Sequence, residues 1–305
     1  MKKFLYLIAA LIVMPFFLNA TTKRADSYFR QVILDGKLTI VGNYPVEDAM
    51  AKTVNCYHFV NDDMGKLTKI EYMKASHLSN DMVLGVAQIM FDYSGGFEKR
   101  TYLDVYSQPM KDHISGVYSV RLKLDESNHT LTLCNYNKQG VLSRDNYCVT
   151  QYMWWLDKDG KRVKSIRLDA KGNRITDSNG FFELRTQTDD NGVVEQTNYN
   201  GRGKVFERRN IISMVRRKYD DKGNLTELRY MGSNGQLKEE GRYGIAVIKW
   251  KYDGMGNLVE ESYYGTDEQL KEPAFGNFSF VTRQYKYDDK GNVVHTSYIQ
   301  KNQMN

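Results

Sequence analysis

The chain has 305 residues, with 43 Lys and Arg against 37 Asp and Glu, for a formal net charge of +6 at pH 7. Such a mild basic excess does not indicate a nucleic-acid-binding protein. Four prolines, 22 tyrosines and 12% aromatic residues favour β-strands over helices.

Residues 1–20, MKKFLYLIAALIVMPFFLNA, place two lysines before an apolar run that ends on Ala20. This pattern is typical of a cleavable bacterial secretory signal, and a retained N-terminal anchor is the alternative. Removing Lys2 and Lys3 lowers the basic count from 43 to 41 and the net charge from +6 to +4. We therefore predict an exported chain that is periplasmic, cell-surface or secreted, with no transmembrane segment after cleavage.

Three cysteines, Cys56, Cys134 and Cys148, permit at most one internal disulfide in an exported protein. The favoured pair is Cys134 with Cys148, because these two residues flank a predicted hairpin. The sequence alone leaves that bond open.

A turn motif repeats along most of the remaining chain. KYDDKGNLTELRYMGSNGQL from Lys218 returns as KYDGMGNLVEESYYGTDEQL from Lys251, and in part as KYDDKGNVVHTSYI from Lys286. Three positions after its aspartate, each copy has glycine or, once, asparagine, and both tolerate a left-handed backbone. The aspartate accepts amide N–H groups two residues on, so each copy predicts a hairpin turn. The structural turn aspartates are Asp62, Asp92, Asp125, Asp157, Asp189, Asp220, Asp253 and Asp288.

A second register accompanies the turns. Seven residues beyond each turn glycine or asparagine lies a position that is mostly tyrosine, which predicts a tyrosine column across the sheet. A further glycine marks a second turn in four repeats, and the first two repeats are predicted to lack it. The column positions are Tyr72, Tyr102, Asn135, Arg167, Tyr199, Tyr230, Tyr263 and Tyr298.

The pattern between turns alternates with period two, as in a half-buried strand: Ile248, Trp250 and Tyr252 share one face. We predict three strands per repeat, at 245–252, 258–264 and 269–272 in the best example. The predicted fold is all-β: eight tandem three-stranded meander repeats of about 32 residues in an open curved or superhelical sheet. An eight-bladed, propeller-like closure is the alternative. Residues 21–56 form a cap segment and 57–305 the repeat domain.

YDDKGNLTELRY and YDGMGNLVEESYY resemble the YD repeats of bacterial RHS (rearrangement hot spot) proteins. The resemblance is good over residues 218–298 and degenerate over 57–217. It implies long twisted β-sheets, which in that family can wind into a shell around a toxic C-terminal domain. The repeat period of this chain is longer than is usual in that family.

No nucleophile elbow, zinc helix or phosphate loop occurs, so we predict no catalytic residue, cofactor or metal. The turn aspartates lack the converging oxygens that calcium requires, and we interpret them as turn caps. Cys56 and His58 share one face of an extended segment. A packed cysteine beside a solvent-facing histidine is the interpretation we favour, and a nucleophile with its base is the alternative.

Two sets of residues are candidates for ligand binding. The stretch GRGKVFERRNIISMVRRKYD carries Arg208, Arg209, Arg216 and Arg217, which could concentrate positive charge on one surface, although such runs are commonly solvated faces. Trp154 and Trp155 are adjacent and must face opposite sides of a strand, so one of them is either covered by another layer or exposed as a flat platform.

These features predict an exported, non-catalytic β-repeat protein that binds or scaffolds an envelope protein or polysaccharide. The alternatives are an envelope polysaccharide hydrolase and an RHS-like toxin-delivery accessory. Open sheet edges also give a route to self-association, so a homo-oligomer is part of the prediction.

Overall fold

The computed structural model describes residues 26–208, 211–274 and 279–301. The predicted signal segment and Arg209 lie outside these residues. The described chain is built from antiparallel strands, with one short α-helix, α1 (Asp48–Ala51), and one 3-10 turn. The all-β class is therefore confirmed. In the described ranges no helix has the length and apolar character needed to cross a membrane.

The chain divides into two compact units between Ser178 and Asn179. The strands of unit 1 are β1 (Ser27–Leu34), β2 (Ile40–Val46), β3 (Asn55–Asn61), β4 (Leu67–Lys74), β5 (His77–Leu78), β6 (Gln88–Asp92), β7 (Glu98–Leu103), β8 (Ser119–Leu124), β9 (Thr130–Tyr136), β10 (Gln151–Leu156), β11 (Arg162–Leu168) and β12 (Arg174–Ile175). The strands of unit 2 are β13 (Glu183–Thr188), β14 (Val194–Tyr199), β15 (Met214–Tyr219), β16 (Leu225–Met231), β17 (Val247–Tyr252), β18 (Leu258–Tyr264), β19 (Thr282–Tyr287) and β20 (Val293–Ile299).

Successive strands pair as a meander within each unit. In unit 1 the N-terminal hairpin β1–β2 joins the sheet through β3, and the pairing then runs through β4, β6, β7, β8, β9, β10, β11 and β12. In unit 2 it runs from β13 to β20 in chain order. Among the described strands, β2 and β20 each have a single partner. The open arrangement is therefore confirmed, and the propeller-like closure is not.

Each of the eight predicted turns closes a hairpin. The glycine or asparagine at the fourth position has a positive φ in every case, from +59° at Asn128 to +89° at Gly291. Seven of the eight aspartates accept the amide N–H two residues on, at 2.9–3.1 Å. Asp125 differs: its turn is one residue longer, and it accepts from the amides of His129 and Thr130. These carboxylates therefore accept hydrogen bonds within their own turns.

The third strand of the repeat is shorter than predicted. In five repeats it is a single β-bridge, as between Tyr264 and Leu270, where the sequence predicted a strand at 269–272. The predicted absence of a second turn from the first two repeats is wrong. Ser107, at φ +58°, closes such a turn on Asp104, and Ala75 and Ser76 also have positive φ. After the second turn of a repeat the chain reverses again within a few residues, which leaves no room for a longer third strand.

The tyrosine column is interrupted where Tyr199 was predicted. Most hairpins contain a β-bulge beside the turn, as between Lys218 and Tyr219, but β13 and β14 pair without one. Without the extra bulge residue, β14 reaches the position of the tyrosine column one residue earlier. Asn198, and not Tyr199, therefore has the position that Tyr230 has in the next hairpin. Asn198 donates to the carbonyl of Ser213 as Tyr230 donates to that of Ala246. The column position is therefore polar in three consecutive repeats, where it holds Asn135, Arg167 and Asn198.

The N-terminal hairpin packs on the core of unit 1. Leu38, at its tip, is 7% exposed and lies in a cluster with buried residues of β8 and β9. Its carbonyl accepts a hydrogen bond from the buried guanidinium of Arg100 at 2.6 Å. Phe29 of β1 makes an edge contact with Phe59, with ring centroids 5.0 Å apart. The residues before the first repeat therefore cover a core that β8 and β9 alone leave open.

The cysteines are free. Cys134 lies opposite Gln151, and its sulfur is 3.4 Å from the amide oxygen of that residue. Cys148 is exposed in a turn with φ +65°, and Cys56 is fully buried. The favoured Cys134–Cys148 disulfide is absent, and the Cys134 sulfur contacts Gln151 instead.

The turn cap gives a first testable prediction. Asp253 accepts from the amides of Met255 and Asn257, both at 2.9 Å, and from the Asn257 side chain at 2.8 Å. We expect Asp253→Ala to lower the free energy of unfolding by about 1–2 kcal/mol, because two amides lose their acceptor. Urea unfolding measures the loss. Asp221→Ala, an exposed neighbour in an equivalent turn, should change it by less than about 0.5 kcal/mol, and equal losses in both variants would contradict the capping role.

Candidate functional site

The structure places the two predicted tryptophans on opposite faces of β10. Trp154 stacks on Tyr152, with centroids 5.5 Å apart and planes 20° apart, and packs against the cluster that contains Leu38. Trp155 faces the other way, with the ammonium group of Lys164 4.7 Å from its ring centroid. Both side chains are half-buried. They do not form one platform.

The structure also divides the predicted arginine stretch. Arg216 and Arg217 are neighbours on β15 and therefore face opposite sides. Arg216 donates to Glu195 at 2.6 Å, whereas Arg217 is 3% exposed and donates to Gln196 at 2.5 Å. Burial lowers the pKa of Arg217. Arg208 is exposed in a separate β-bridge. These cations do not make one surface.

Cys56 and His58 do not form a reactive pair. Burial raises the pKa of the Cys56 thiol, which lies 3.7 Å from the carbonyl of Ala51. The His58 ring lies between Glu71 and Asp26, at 3.0 and 3.2 Å. Among the described residues, no three His, Cys, Asp or Glu side chains are close enough to hold a metal ion.

A basic and aromatic site that the sequence did not reveal lies in unit 1, centred on Arg121 of β8. Its guanidinium carbon is 4.7 Å from the ring centroid of Phe97 and 4.7 Å from that of Tyr136, so two aromatic rings flank it. Across the strand pair, Arg121 lies opposite Lys99. Two cations directly opposite each other in a sheet destabilise the pair unless an anion is present.

The same register holds ion pairs in unit 2. There Glu195 lies opposite Arg216, and Glu227 lies opposite Lys249, with carboxylate-to-nitrogen distances of 2.6 and 3.7 Å. In unit 1 a lysine replaces the glutamate. The like-charge pair therefore differs from these two ion pairs. At the same level the remaining pairs, Lys69–Met90, Thr132–Met153 and Glu260–Gln284, oppose no like charges.

A cleft of about 240 Å³ adjoins Tyr136. Two turns form its walls: in one, Asp112 accepts from the amides of its own loop and Gly116 closes the bend at φ +74°; in the other, Asn137 and Gly140 do the same. A lysine lies in or beside each turn. We call this the Lys111 cleft; its lining includes Lys111, Tyr118, Tyr136, Asn137, Lys138 and Ser143.

Tyr118 helps to explain why a cleft lies here. Its amide donates to the carbonyl of Tyr136 at 3.1 Å, and the corresponding amides of other repeats make the same bond. In most of them the position holds a small residue that is almost fully buried: Ala87, Thr150, Ser213, Ala246 and Val281. A tyrosine ring is too large for that space. Tyr118 remains half-buried, with the Lys111 ammonium 5.8 Å from its ring centroid.

The positive charge of this region is not neutralised by ion pairs. Within the described part of the chain, none of five cations has a carboxylate oxygen within 4.0 Å. We call these cations the basic cluster: Lys99, Lys111, Arg121, Lys123 and Lys138.

Neighbouring carboxylates are engaged elsewhere. Asp112 is 3% exposed and accepts from its own turn. Asp92 lies opposite Lys99 and accepts from the Ser94 amide at 2.9 Å. That hydrogen bond is the main reason why the pKa of Asp92 is lowered, with smaller contributions from Lys99 and Arg121. Asp92 is therefore the carboxylate with which an anion from outside the protein would compete for Lys99 and Arg121.

The fold and the cleft define a class: an all-β hairpin-repeat protein with a basic, aromatic-lined cleft. No family model matches the chain, and no curated protein matches it. Among solved structures, it is similar to a chain of the crystal structure of TcdB2-TccC3-Cdc42, at 12% identity and a TM-score of 0.27. The similarity covers 83% of this chain but only 14% of that one. A TM-score this low supports no inference about function.

Proposed function

We propose that this protein is a non-catalytic binding element whose basic cluster and Lys111 cleft hold an acidic polysaccharide. The observation that carries the proposal is the like-charge pair of Lys99 and Arg121, in which Arg121 lies between two aromatic rings, at a level where two strand pairs of unit 2 have an ion pair. Carboxylate or sulfate groups would complete that pair. The rings of Tyr118 and Tyr136 offer flat apolar surfaces to the sugar rings.

The dimensions favour a polymer over a small free ligand. A cleft of about 240 Å³ is below the range of about 300–1,000 Å³ that encloses a drug-sized molecule. It has room for one ring of a chain that continues over the strand surface. Arg121 and Lys123 extend the positive surface along β8, so successive acidic residues would meet successive cations.

We propose in addition that the protein works in the cell envelope or outside the cell and is related to RHS/YD-repeat proteins. The secretory pattern of residues 1–20 supports the first statement, and the eight aspartate-led turns support the second. The polysaccharide hydrolase and the RHS-like toxin-delivery accessory stay alternatives.

The test is binding of polygalacturonate, with dextran as the neutral control, measured by calorimetry at 50 and 500 mM NaCl. We expect polygalacturonate to bind, dextran not to bind, and affinity to fall with salt because the contacts are ionic. Arg121→Gln and Lys111→Ala should each weaken binding about tenfold, which corresponds to about 1.4 kcal/mol. The measurement of reducing ends in the same samples tests the hydrolase alternative.

The matched control is Arg216→Gln, which removes a cation in the register of Arg121 whose charge is already paired with Glu195. Binding should be unchanged in that variant. Equal affinity for dextran, or equal losses in Arg216→Gln and Arg121→Gln, would contradict the proposed site. Release of reducing ends would favour the hydrolase.

A further inference from the structure

One end of unit 1 exposes several large apolar side chains. In the repeats of this unit the aspartate-led turn lies at one end of the strands, and a second and a third turn, such as 104–108 and 112–116, lie at the other end. Five large apolar residues in or directly beside the second and third turns are exposed. We call them the apolar rim: Met82, Tyr106, Val141, Leu142 and Tyr147. Tyr106 is 79% exposed and Met82 is 61% exposed, so these side chains face solvent and not the core.

The third turns lie against one another, which places the apolar rim on a continuous surface. The amide of His113 donates to the carbonyl of Leu84 at 2.7 Å, and the amide of Asn146 donates to that of Ser115 at 2.8 Å. Each repeat adds two paired strands about 4.8 Å apart, so the rim extends over about 20 Å across three successive third turns. The hydrogen bonds between turns also satisfy backbone groups whose contact with an apolar phase would otherwise cost free energy.

The equivalent positions of unit 2 are polar. Tyr106 is the third residue of its second turn, and the second turns of unit 2 that begin at positions 232 and 265 have Asn234 and Asp267 there. In the third turns, Arg242 has the position of Tyr147. The turns can therefore form without apolar residues at these positions. Exposed apolar residues that are concentrated on one surface are typical of a binding surface.

The exposed charges around the apolar rim are basic. Lys111, Lys138 and Arg144 are all exposed. The aspartates that begin the third turns are at most 9% exposed, and Asp104 is half-buried and accepts from the amides of its own turn. Apolar and aromatic side chains beside lysine and arginine suit the boundary between the headgroups and the acyl chains of an anionic bilayer.

We propose that the apolar rim docks unit 1 on a membrane surface that contains anionic phospholipids. Tyr106 and Val141 enter the boundary between headgroups and acyl chains, while Arg144 contacts lipid phosphates. Tyrosine suits this boundary because its ring is apolar and its hydroxyl group remains hydrated. The aspartate-led turns of unit 1 then point away from the membrane, and the Lys111 cleft lies close to it. Docking of this kind does not require that the cleft bind a polysaccharide.

Co-sedimentation of the full chain with lipid vesicles tests the docking. The chain should bind vesicles of equal parts phosphatidylglycerol and phosphatidylcholine, and should bind vesicles of phosphatidylcholine alone about tenfold more weakly. Affinity for the anionic vesicles should fall as NaCl rises from 50 to 500 mM. Tyr106→Ser and Val141→Ser should each weaken binding about fivefold, because less apolar surface leaves water. Arg144→Gln should also weaken it about fivefold, because one cation near the lipid phosphates is lost.

The matched controls lie at the opposite end of unit 1. Met64→Ser replaces an apolar side chain that is 93% exposed in an aspartate-led turn. Lys158→Gln removes an exposed cation from another such turn. Both variants should bind anionic vesicles as the unmodified chain does, and equal losses in Met64→Ser and Tyr106→Ser would overturn the docking.

The polygalacturonate assay separates this docking from the proposed function, because Tyr106, Val141 and Arg144 do not line the Lys111 cleft. Binding of polygalacturonate without binding of anionic vesicles would overturn the docking and leave the proposed site intact. Binding of vesicles without binding of polygalacturonate would overturn that site alone. Equal binding to both kinds of vesicle, or vesicle binding that all three rim variants leave unchanged, would also overturn the docking.

Discussion

Replacing Leu38 by alanine is expected to lower the free energy of unfolding of unit 1 by about 2–5 kcal/mol, the range for truncating a buried leucine. Leu38 is 7% exposed and packs with Val117, Val120, Leu122 and Leu131. It comes from the hairpin β1–β2, so its truncation weakens the contact between that hairpin and the repeats. Urea unfolding followed by tryptophan fluorescence measures the effect, because Trp154 packs on the same cluster.

The backbone of Leu38 provides an internal check. Its φ is +64°, a conformation that costs a non-glycine residue energy and costs glycine none. Leu38→Gly should therefore be no less stable than Leu38→Ala, although it removes one more carbon. Leu142→Ala, at a leucine that is 37% exposed, serves as the control and should lose clearly less. A small effect of Leu38→Ala, equal to that control, would contradict the role of the hairpin as a cover for the core.

The second large effect expected is a pH-dependent loss of stability centred on His58. Both ring nitrogens face carboxylates, with Nδ1 3.0 Å from Glu71 and Nε2 3.2 Å from Asp26, and only a protonated ring can donate to both. The hydrogen bond to Glu71 is the main cause that raises the pKa of His58. The same bond, with Lys69 at 2.7 Å, lowers the pKa of Glu71 to about 2.

The two pKa shifts make stability depend on pH in opposite directions. The raised His58 pKa contributes stability that is complete below about pH 6.5 and is lost as pH rises through the folded value. The lowered Glu71 pKa contributes stability that is complete above about pH 4.5 and is lost as pH falls towards 2. The contact between β1, β3 and β4 should therefore be strongest between about pH 4.5 and 6.5.

Urea unfolding at pH 5.5, 7.0 and 8.5 measures this dependence. The unmodified chain should lose about 1–2 kcal/mol between pH 5.5 and 8.5, whereas His58→Ala should start lower and show little further loss. His129→Ala, which removes an exposed histidine from a turn, should retain the full pH dependence. The same slope in His58→Ala and in the unmodified chain would exclude His58 as its source.

The repeat could be predicted from the sequence because its signals are local. An aspartate that accepts its own loop amides and a residue that tolerates positive φ act within five residues, so eight turns could be predicted, and each of them closes a hairpin. The column of tyrosines depends on less local geometry. A single missing bulge in β13–β14 moved Tyr199 out of register, and nothing in the spacing of the motif indicates which hairpins have a bulge.

The proposed binding site was not predicted because its parts lie in separate segments. Phe97, Lys99, Arg121 and Tyr136 come from three strands and a loop, each unremarkable alone. Alignment of the repeats by strand register would have placed Lys99 opposite Arg121, at the level where two repeats of unit 2 have a glutamate opposite a cation. The compact run of arginines predicted a basic surface elsewhere. In the structure Arg216 pairs with Glu195 and Arg217 is buried, so these two residues share no surface.

The sequence by itself determined that the chain reverses at the eight predicted turns and forms strands of alternating polarity, because turn chemistry and side-chain period are properties of neighbouring residues. Only the tertiary structure decided which charges meet. Strand pairing brings together residues some twenty positions apart, and a shift of one residue changes every cross-strand neighbour. Ion pairs in unit 2 and a basic cluster without ion pairs in unit 1 both follow from that register.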